Sequence, residues 1–143
     1  MLPFVKTQAL GNDFILVERS RVTDADYPAL ARRICDRRLG VGADGLILWD
    51  SAPEVFQLRI LNIDGSEAEC SGNGLRCAAA YLLQAGKTGN DRIQLQTVSG
   101  IYALERLGDR FAADMGVPAL APKDIPFVAT ETLDQIVDHA LDL

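Results

Sequence analysis

Residues 62–77 read Asn62-Ile63-Asp64-Gly65-Ser66-Glu67-Ala68-Glu69-Cys70-Ser71-Gly72-Asn73-Gly74-Leu75-Arg76-Cys77. Apolar residues from Val55 to Leu61 form a strand pattern before this stretch, and Asp64-Gly65 supplies turn chemistry at its end. Beyond Gly74 the period changes. Leu75, Ala78, Ala79, Leu82 and Leu83 recur at helical spacing, and Gly86 is placed to stop that helix. A Ser-Gly-Asn-Gly loop therefore feeds a helix. The first amides of a helix have no internal acceptor, and the helix dipole adds partial positive charge there. Gly72 and Gly74 carry no Cβ, so an anion such as a carboxylate can approach the backbone. A thiol at this position would have its pKa lowered. The plainer reading of the same residues is that Ser71 is only an N-cap and the glycines only shape a turn.

Working outward, Leu2–Lys6 and Phe14–Glu18 read as strands joined through Gly11-Asn12-Asp13. Tyr27, Leu30, Ala31 and Ile34 mark an amphipathic helix over Asp26–Asp36, with Thr23 or Asp24 as its cap. Leu46–Trp49 is a further strand. Ile93–Thr97 and Ile101–Arg106 form a hairpin around Ser99-Gly100, and Phe111–Met115 adds one more strand. Pro118, Pro122 and Pro126 break residues 117–130 into a linker. Leu133–Leu143 fits a helix by periodicity, although its last residues alternate like a strand. The fold class is α+β, with several antiparallel strands and two main helices.

Gly40, Gly42 and Gly45 satisfy G-x-G-x-x-G. A dinucleotide cradle needs a strand before the glycines and a helix after them. Here a helix precedes and Leu46–Trp49 follows, so these glycines are expected to permit close backbone approach rather than to hold phosphate.

The chain has 143 residues, 48% of them hydrophobic and 24% charged, which suits one globular domain with a real core. Lys plus Arg is 14 and Asp plus Glu is 20, for a net charge of −6. No basic run is present to neutralise phosphates, so a nucleic-acid partner is not expected. The longest uninterrupted apolar run, Cys77–Leu83, is far short of the ~18 residues of a membrane span. No membrane partner and no signal peptide are expected. Three cysteines, Cys35, Cys70 and Cys77, make no disulfide framework and no CxxC pair, which fits a reducing cytoplasm. His139 is the single histidine. Neither a metal site nor a Ser-His-Asp triad is expected.

The sequence resembles the diaminopimelate epimerase family, in its N-terminal half. The resemblance rests on Phe4-Val5-Lys6 with Gly11-Asn12-Asp13-Phe14, on Cys35-Asp36-Arg37 with Gly40-Val41-Gly42-Ala43-Asp44-Gly45, and on the stretch from Asn62 to Cys77. Asp114-Met115-Gly116 with Pro118, and Ile125-Pro126-Phe127, extend it. The resemblance implies a mostly antiparallel sheet wrapped around a central helix, with a second helix. It implies residues 1–118 as the epimerase-like domain, with 119–143 as a linker and the start of a second domain. It also implies an amino-acid epimerase of lysine and peptidoglycan biosynthesis. No cofactor is used. Each of two domains supplies one cysteine, so that a thiolate removes the α-proton and the opposite thiol delivers one to the other face. Carried over by position, Asn12, Asn62 and Asn73 hydrogen-bond the substrate, and the Gly72 and Asn73 amides hold its α-carboxylate. Read without the resemblance, Asn12 is a turn residue and Asn62 closes its strand.

Two features depart from that pattern. The family places its catalytic cysteine directly before Gly-Asn-Gly, whereas this chain has Ser71 there and Cys70 one place earlier. A thiol ionises near ~8.5 and a hydroxyl near water's value of roughly 15.7, a difference of about 10 kcal/mol in forming the base. A helix start recovers only ~1–2 kcal/mol of this, so Ser71 alone is not expected to abstract the proton. Three explanations stay open. The serine is an inactivating substitution, or the protein is a divergent relative with other chemistry, or Cys70 takes the role after a shift of the loop. Adjacent residues at a helix entry point differently, which favours Cys70 as a small apolar packing residue. Cys35 and Cys77 read as core. The second departure is that nothing in the chain matches the family's second half, so one face of a two-base site is expected here, without turnover. A related racemase of another amino acid is the alternative function. Another is a non-catalytic homodimer associating through an exposed face lined by Leu61 and Ile63.

Overall fold

Four consecutive buried residues, Phe14, Ile15, Leu16 and Val17, explain the architecture. Successive side chains of a strand point to opposite faces, so a strand buried at every position must be covered on both sides. The computed structural model describes residues 1–23, 26–52, 54–125, 134 and 137. Among them, β1 (Val5–Ala9), β2 (Asn12–Glu18), α1 (Tyr27–Cys35), β3 (Gly45–Ser51), β4 (Phe56–Asn62), β5 (Glu67–Ala68), α2 (Gly72–Gln84), β6 (Arg92–Thr97), β7 (Gly100–Leu107) and β8 (Arg110–Ala113) follow in order. The strands form one sheet in the order β1-β2-β3-β4-β6-β7-β8, with β5 paired to β4 off this path. Neighbours are antiparallel except β2 with β3 and β4 with β6, so the α+β class and the mostly antiparallel sheet hold.

The two helices cover opposite faces. Phe14, Leu16, Ile47, Trp49, Leu58 and Ile60 pack with Leu75, Ala78, Ala79 and Leu82 of α2. Their alternates Ile15, Val17, Leu46, Leu48 and Leu61 pack with Leu30, Ala31 and Cys35 of α1. At ~1.5–3 kcal/mol for each large apolar side chain removed from water, these two layers supply the main driving force for folding. Both edge strands, β1 and β8, also touch α2, so the sheet curls around that helix as a half-barrel. In β6 only Ile93, Leu95 and Thr97 are buried, as suits a strand covered on one side.

Several element ends differ from the sequence reading. β1 starts at Val5, because its pairing with β2 is set by the turn at Leu10-Gly11, where both φ angles are positive. Asp26, and not Thr23, caps α1 by accepting from the Ala29 amide at 2.9 Å. β5 is two residues long, too short to show a period. Gly86, at φ +66°, ends α2 as expected: its amide bonds the Leu83 carbonyl and that of Lys87 bonds Leu82. The expectations for Asp24, Phe127, His139 and the Leu133–Leu143 segment fall wholly or mostly outside the described residues.

The glycine loop behaves as the inverted element order predicts. Amides of Gly40, Val41, Gly42 and Ala43 bond carbonyls of Ile34, Cys35 and Asp36 at the end of α1. A Cβ at Gly40 would lie 2.4 Å from the Arg33 carbonyl oxygen. The close approach is therefore to a helix end.

Candidate functional site

Register places the start of β2 and the end of β4 on either side of the start of β3. Phe14 lies opposite Gly45, and Gly45 opposite Asn62. Asn12 and Asn62 thus flank the Asp44-Gly45 entry to β3 at one end of the central strands. Helix α2 runs along the same strands. A Cβ on Gly74 would meet Ile47 at 3.4 Å, and the Tyr81 ring lies 5.8 Å from that of Trp49. Since Ile47 is nearer than Trp49 to Gly45, the N-terminus of α2 points to the end that carries both asparagines.

At that helix start Ser71 is the cap. Its Oγ accepts from the Gly74 amide at 3.1 Å, and its carbonyl accepts from Leu75 at 2.8 Å. The Gly72 and Asn73 amides find no acceptor among the described residues. Arg76 donates to Asn73 Oδ1, which leaves Asn73 Nδ2 as a further donor. The segment before Ser71 is tied to the end of β6 and the turn after it: Thr97 Oγ1 and Ser99 Oγ both donate to the Glu69 carbonyl, at 2.9 and 2.6 Å. Cys70 is half-buried and packs against the α2-side core.

The asparagines at the strand ends are turned the other way. Asn12 Nδ2 donates to Asp44 Oδ2 at 2.7 Å. Asn62 Nδ2 donates to Ser66 Oγ at 2.9 Å, and Ser66 Oγ donates to Asp64 Oδ1 at 2.6 Å. Both Oδ1 atoms are left as acceptors. The candidate site therefore offers donors at the start of α2 and acceptors at the strand ends.

Behind Asn12 lies an ionic network. Arg37 donates to Asp13 at 3.1 and 2.7 Å and to Asp44 at 2.7 Å, and Lys6 pairs with Asp13 at 3.1 Å. Asp13 and Asp44 exchange bonds between amide and carboxylate at 3.0 Å in each direction. The Arg37 guanidinium holds the Asp13 carboxyl well below the usual range, and the Asp13 and Asn12 donors lower that of Asp44. Burial pushes the Cys77 thiol up and that of Cys35 to about 11.

Register and the course of α2 direct the six sequence-derived candidates toward one corner, at one end of the central strands. Ser71, Gly72 and Asn73 form the helix start, Asn12 and Asn62 stand at the strand ends, and Cys70 packs against the core. Sequence reasoning missed Thr97 and Ser99, which reach Glu69 only through the fold, and gave no role to Asp44. Asp44 was within sight, since it sits in the quoted glycine motif. Leu61 corrects an expectation: it is buried on the α1 side, and only Ile63 of that pair is exposed. Among the described residues, no cluster of three or more metal-ligating side chains occurs, and no helix is long and apolar enough to cross a membrane.

The family model for diaminopimelate epimerase matches residues 4–121. A diaminopimelate epimerase of Pelotomaculum thermopropionicum is 44% identical over 131 residues, covering 86% of this chain and 47% of that protein. One from Chromobacterium violaceum is 44% identical over 132 residues, covering 90% of this chain and 48% of its own length. The chain spans about half the length of these relatives. Among solved structures, a predicted epimerase from Pseudomonas aeruginosa superposes with a TM-score of 0.56 at 22% identity, over 79% of this chain and 42% of that one. A phenazine biosynthesis protein of the PhzF family from Enterococcus faecalis gives 0.59 at 13% identity, over 71% and 36%. These two likenesses concern the fold alone.

Proposed function

The chain belongs to the diaminopimelate epimerase family of isomerases, and from that premise we propose that it is the amino-acid-binding half of a cofactor-independent epimerase. The observation that carries this reading is the division of the corner into donors and acceptors. An amino acid bears a carboxylate and an ammonium on one carbon. The carboxylate suits the Gly72 and Asn73 amides at a helix start, and the ammonium suits the Oδ1 acceptors of Asn12 and Asn62. Diaminopimelate, the substrate named for the matched relatives, fits this chemistry. The LL-to-meso conversion in lysine and peptidoglycan synthesis, and a cytoplasmic location, belong to the same reading. Residues 1–118 would be the binding domain, with 119–143 linking to a second.

Holding a carboxylate on amide donors also has a catalytic consequence. Removing the α-proton builds negative charge on the carboxylate side, and fixed donors stabilise that charge without reorganising. Among the described residues, no side chain at this corner is suited to act as the base. Ser71 Oγ ionises far too weakly and already caps the helix, and Cys70 packs against the core. Among the described residues only one face of the reacting carbon is served, and they are expected to give no turnover alone in the two-base reaction.

The test follows backbone amide resonances while diaminopimelate is added, alongside α-proton exchange in deuterated water. We expect shifts centred on Gly72 and Asn73 with no exchange. Shifts absent at both positions would overturn the binding assignment, and measurable exchange would overturn the assignment of inactivity.

A further inference from the structure

The orientation of an asparagine amide is a choice between presenting a donor and presenting an acceptor, and here neighbouring carboxylates make that choice. An ionised carboxylate can only accept. Asp44 Oδ2, at 2.7 Å from Asn12, must therefore face the amide nitrogen, and Asn12 Oδ1 is turned away from Asp44. Asp44 is itself fixed: its Oδ2 also accepts from the Asp13 amide at 3.0 Å and its Oδ1 from Arg37 at 2.7 Å. Asn62 repeats the device through a relay. Asp64 accepts the Ser66 hydroxyl hydrogen bond at 2.6 Å, so the Ser66 oxygen can serve Asn62 only as an acceptor at 2.9 Å. The Ser66 amide also bonds Asp64, at 2.8 Å, which pins the turn. Two asparagines on different strands are thus set the same way by two separate carboxylates.

We propose that Asp44, and Asp64 through Ser66, are positioning residues that force Asn12 and Asn62 to present carbonyl oxygens, making this side of the corner selective for a ligand ammonium group. Neither carboxylate touches the ligand; each acts through an asparagine. The inference rests on the amino-acid-binding reading above and specifies which chemical group of the ligand these residues read. Without the carboxylates either asparagine could rotate its amide by half a turn and offer hydrogens instead, and the selectivity would vanish while the fold remained.

The experiment uses the 143-residue chain and two probes, diaminopimelate and pimelate, which share a carbon chain and both carboxylates and differ in the amino groups. We expect the wild type to bind diaminopimelate roughly tenfold or more tightly than pimelate, the scale of a hydrogen bond to a charged group. Asp44→Asn should bring the ratio close to one, chiefly by weakening diaminopimelate. Asn12→Ala should do the same, and the double variant should lose no more than either single one, because Asp44 acts through Asn12. Ser66→Ala, at an exposed turn with little consequence for folding, provides the second arm and should reduce the ratio in part. The side-chain amide protons of Asn12 should shift in Asp44→Asn before any ligand is added. Preference retained in Asp44→Asn, or losses that add in the double variant, would overturn this inference alone. A wild type that binds neither probe would overturn the amino-acid-binding reading, and this inference with it.

Discussion

Ser71 Oγ accepts the amide hydrogen of Gly74 at 3.1 Å, so the side chain directly before Gly-Asn-Gly holds the helix start rather than facing a ligand as a base. An N-cap of this kind is worth ~1 kcal/mol over alanine. Ser71→Ala should lose about that much stability, read by urea titration of the emission of Trp49, the only tryptophan and a fully buried one. Ser71→Cys should lose a similar or smaller amount. It should also gain a thiol that alkylates faster than free cysteine at neutral pH, because the helix start favours thiolate. An Ser71→Ala variant as stable as the wild type would mean that the cap is not formed in solution.

Gly45 connects the fold to the site. It lies between Phe14 and Asn62, and a Cβ there would stand 2.8 Å from the Leu61 carbonyl oxygen and 3.3 Å from the Phe14 ring. Backbone cannot yield as the tip of a side chain can. Gly45→Ala should cost about 1–3 kcal/mol, the range for overpacking a filled interior. It should also displace the amide resonances of Asn12 and Asn62 more than those of β7, which lies across the sheet. Uniformly small shifts with wild-type stability would contradict the register described.

Acid should weaken the Asp13–Arg37–Asp44 network. Both carboxyls are held below their ordinary value, so the folded state binds their protons less readily than the unfolded chain. Their contribution is complete above about pH 4, the ordinary carboxylate value, and fades as pH falls further through the lowered folded values. Arg37→Ala removes the main cause for Asp13. The stability gap between wild type and Arg37→Ala should be steady from pH 6 to 8 and should narrow below pH 4. Urea titrations across that range check the sign, and a gap that widens in acid would refute it.

Much of this molecule is legible in its residues because the local signals agree. Helical spacing from Leu75 to Leu83, Gly86 at its end and Ser71 at its start all specify α2, and the structure adds only the first turn from Gly72. The run Phe14–Val17 signals burial on both faces, but nothing local says that α1 and α2 supply the two covers. The parallel pairings of β2 with β3 and β4 with β6 join segments far apart in sequence, so no turn residue announces them. The same limit applies to the site. Gly72 and Asn73 are visible as a helix start, and Asn12 and Asn62 through the family resemblance. The orientation of those asparagines is not visible, because it depends on Asp44 lying 32 residues from Asn12 and on a hydroxyl relay through Ser66. Thr97 and Ser99 reach Glu69 across 28 and 30 residues, again through the sheet alone.

The three cysteines offer a check on where the packing is tight. Cys35 is fully buried with its thiol pushed up to about 11, chiefly by desolvation, and Cys77 is buried and shifted in the same direction. Thiolate is the reactive species, so both should resist alkylation in the folded protein. Cys70 is half-buried on the edge of the α2-side core, the one of the three with a route to solvent. Iodoacetamide at neutral pH should label the native chain once, at Cys70, and all three positions in urea, with mass spectrometry locating the sites. Cys70→Ala should abolish native labelling and leave carboxylate binding at Gly72 and Asn73 intact, since its side chain packs against the α2-side core. If that substitution instead removed the ligand-induced shifts at Gly72 and Asn73, Cys70 would belong to the site and the loop before α2 would adopt a different register in solution.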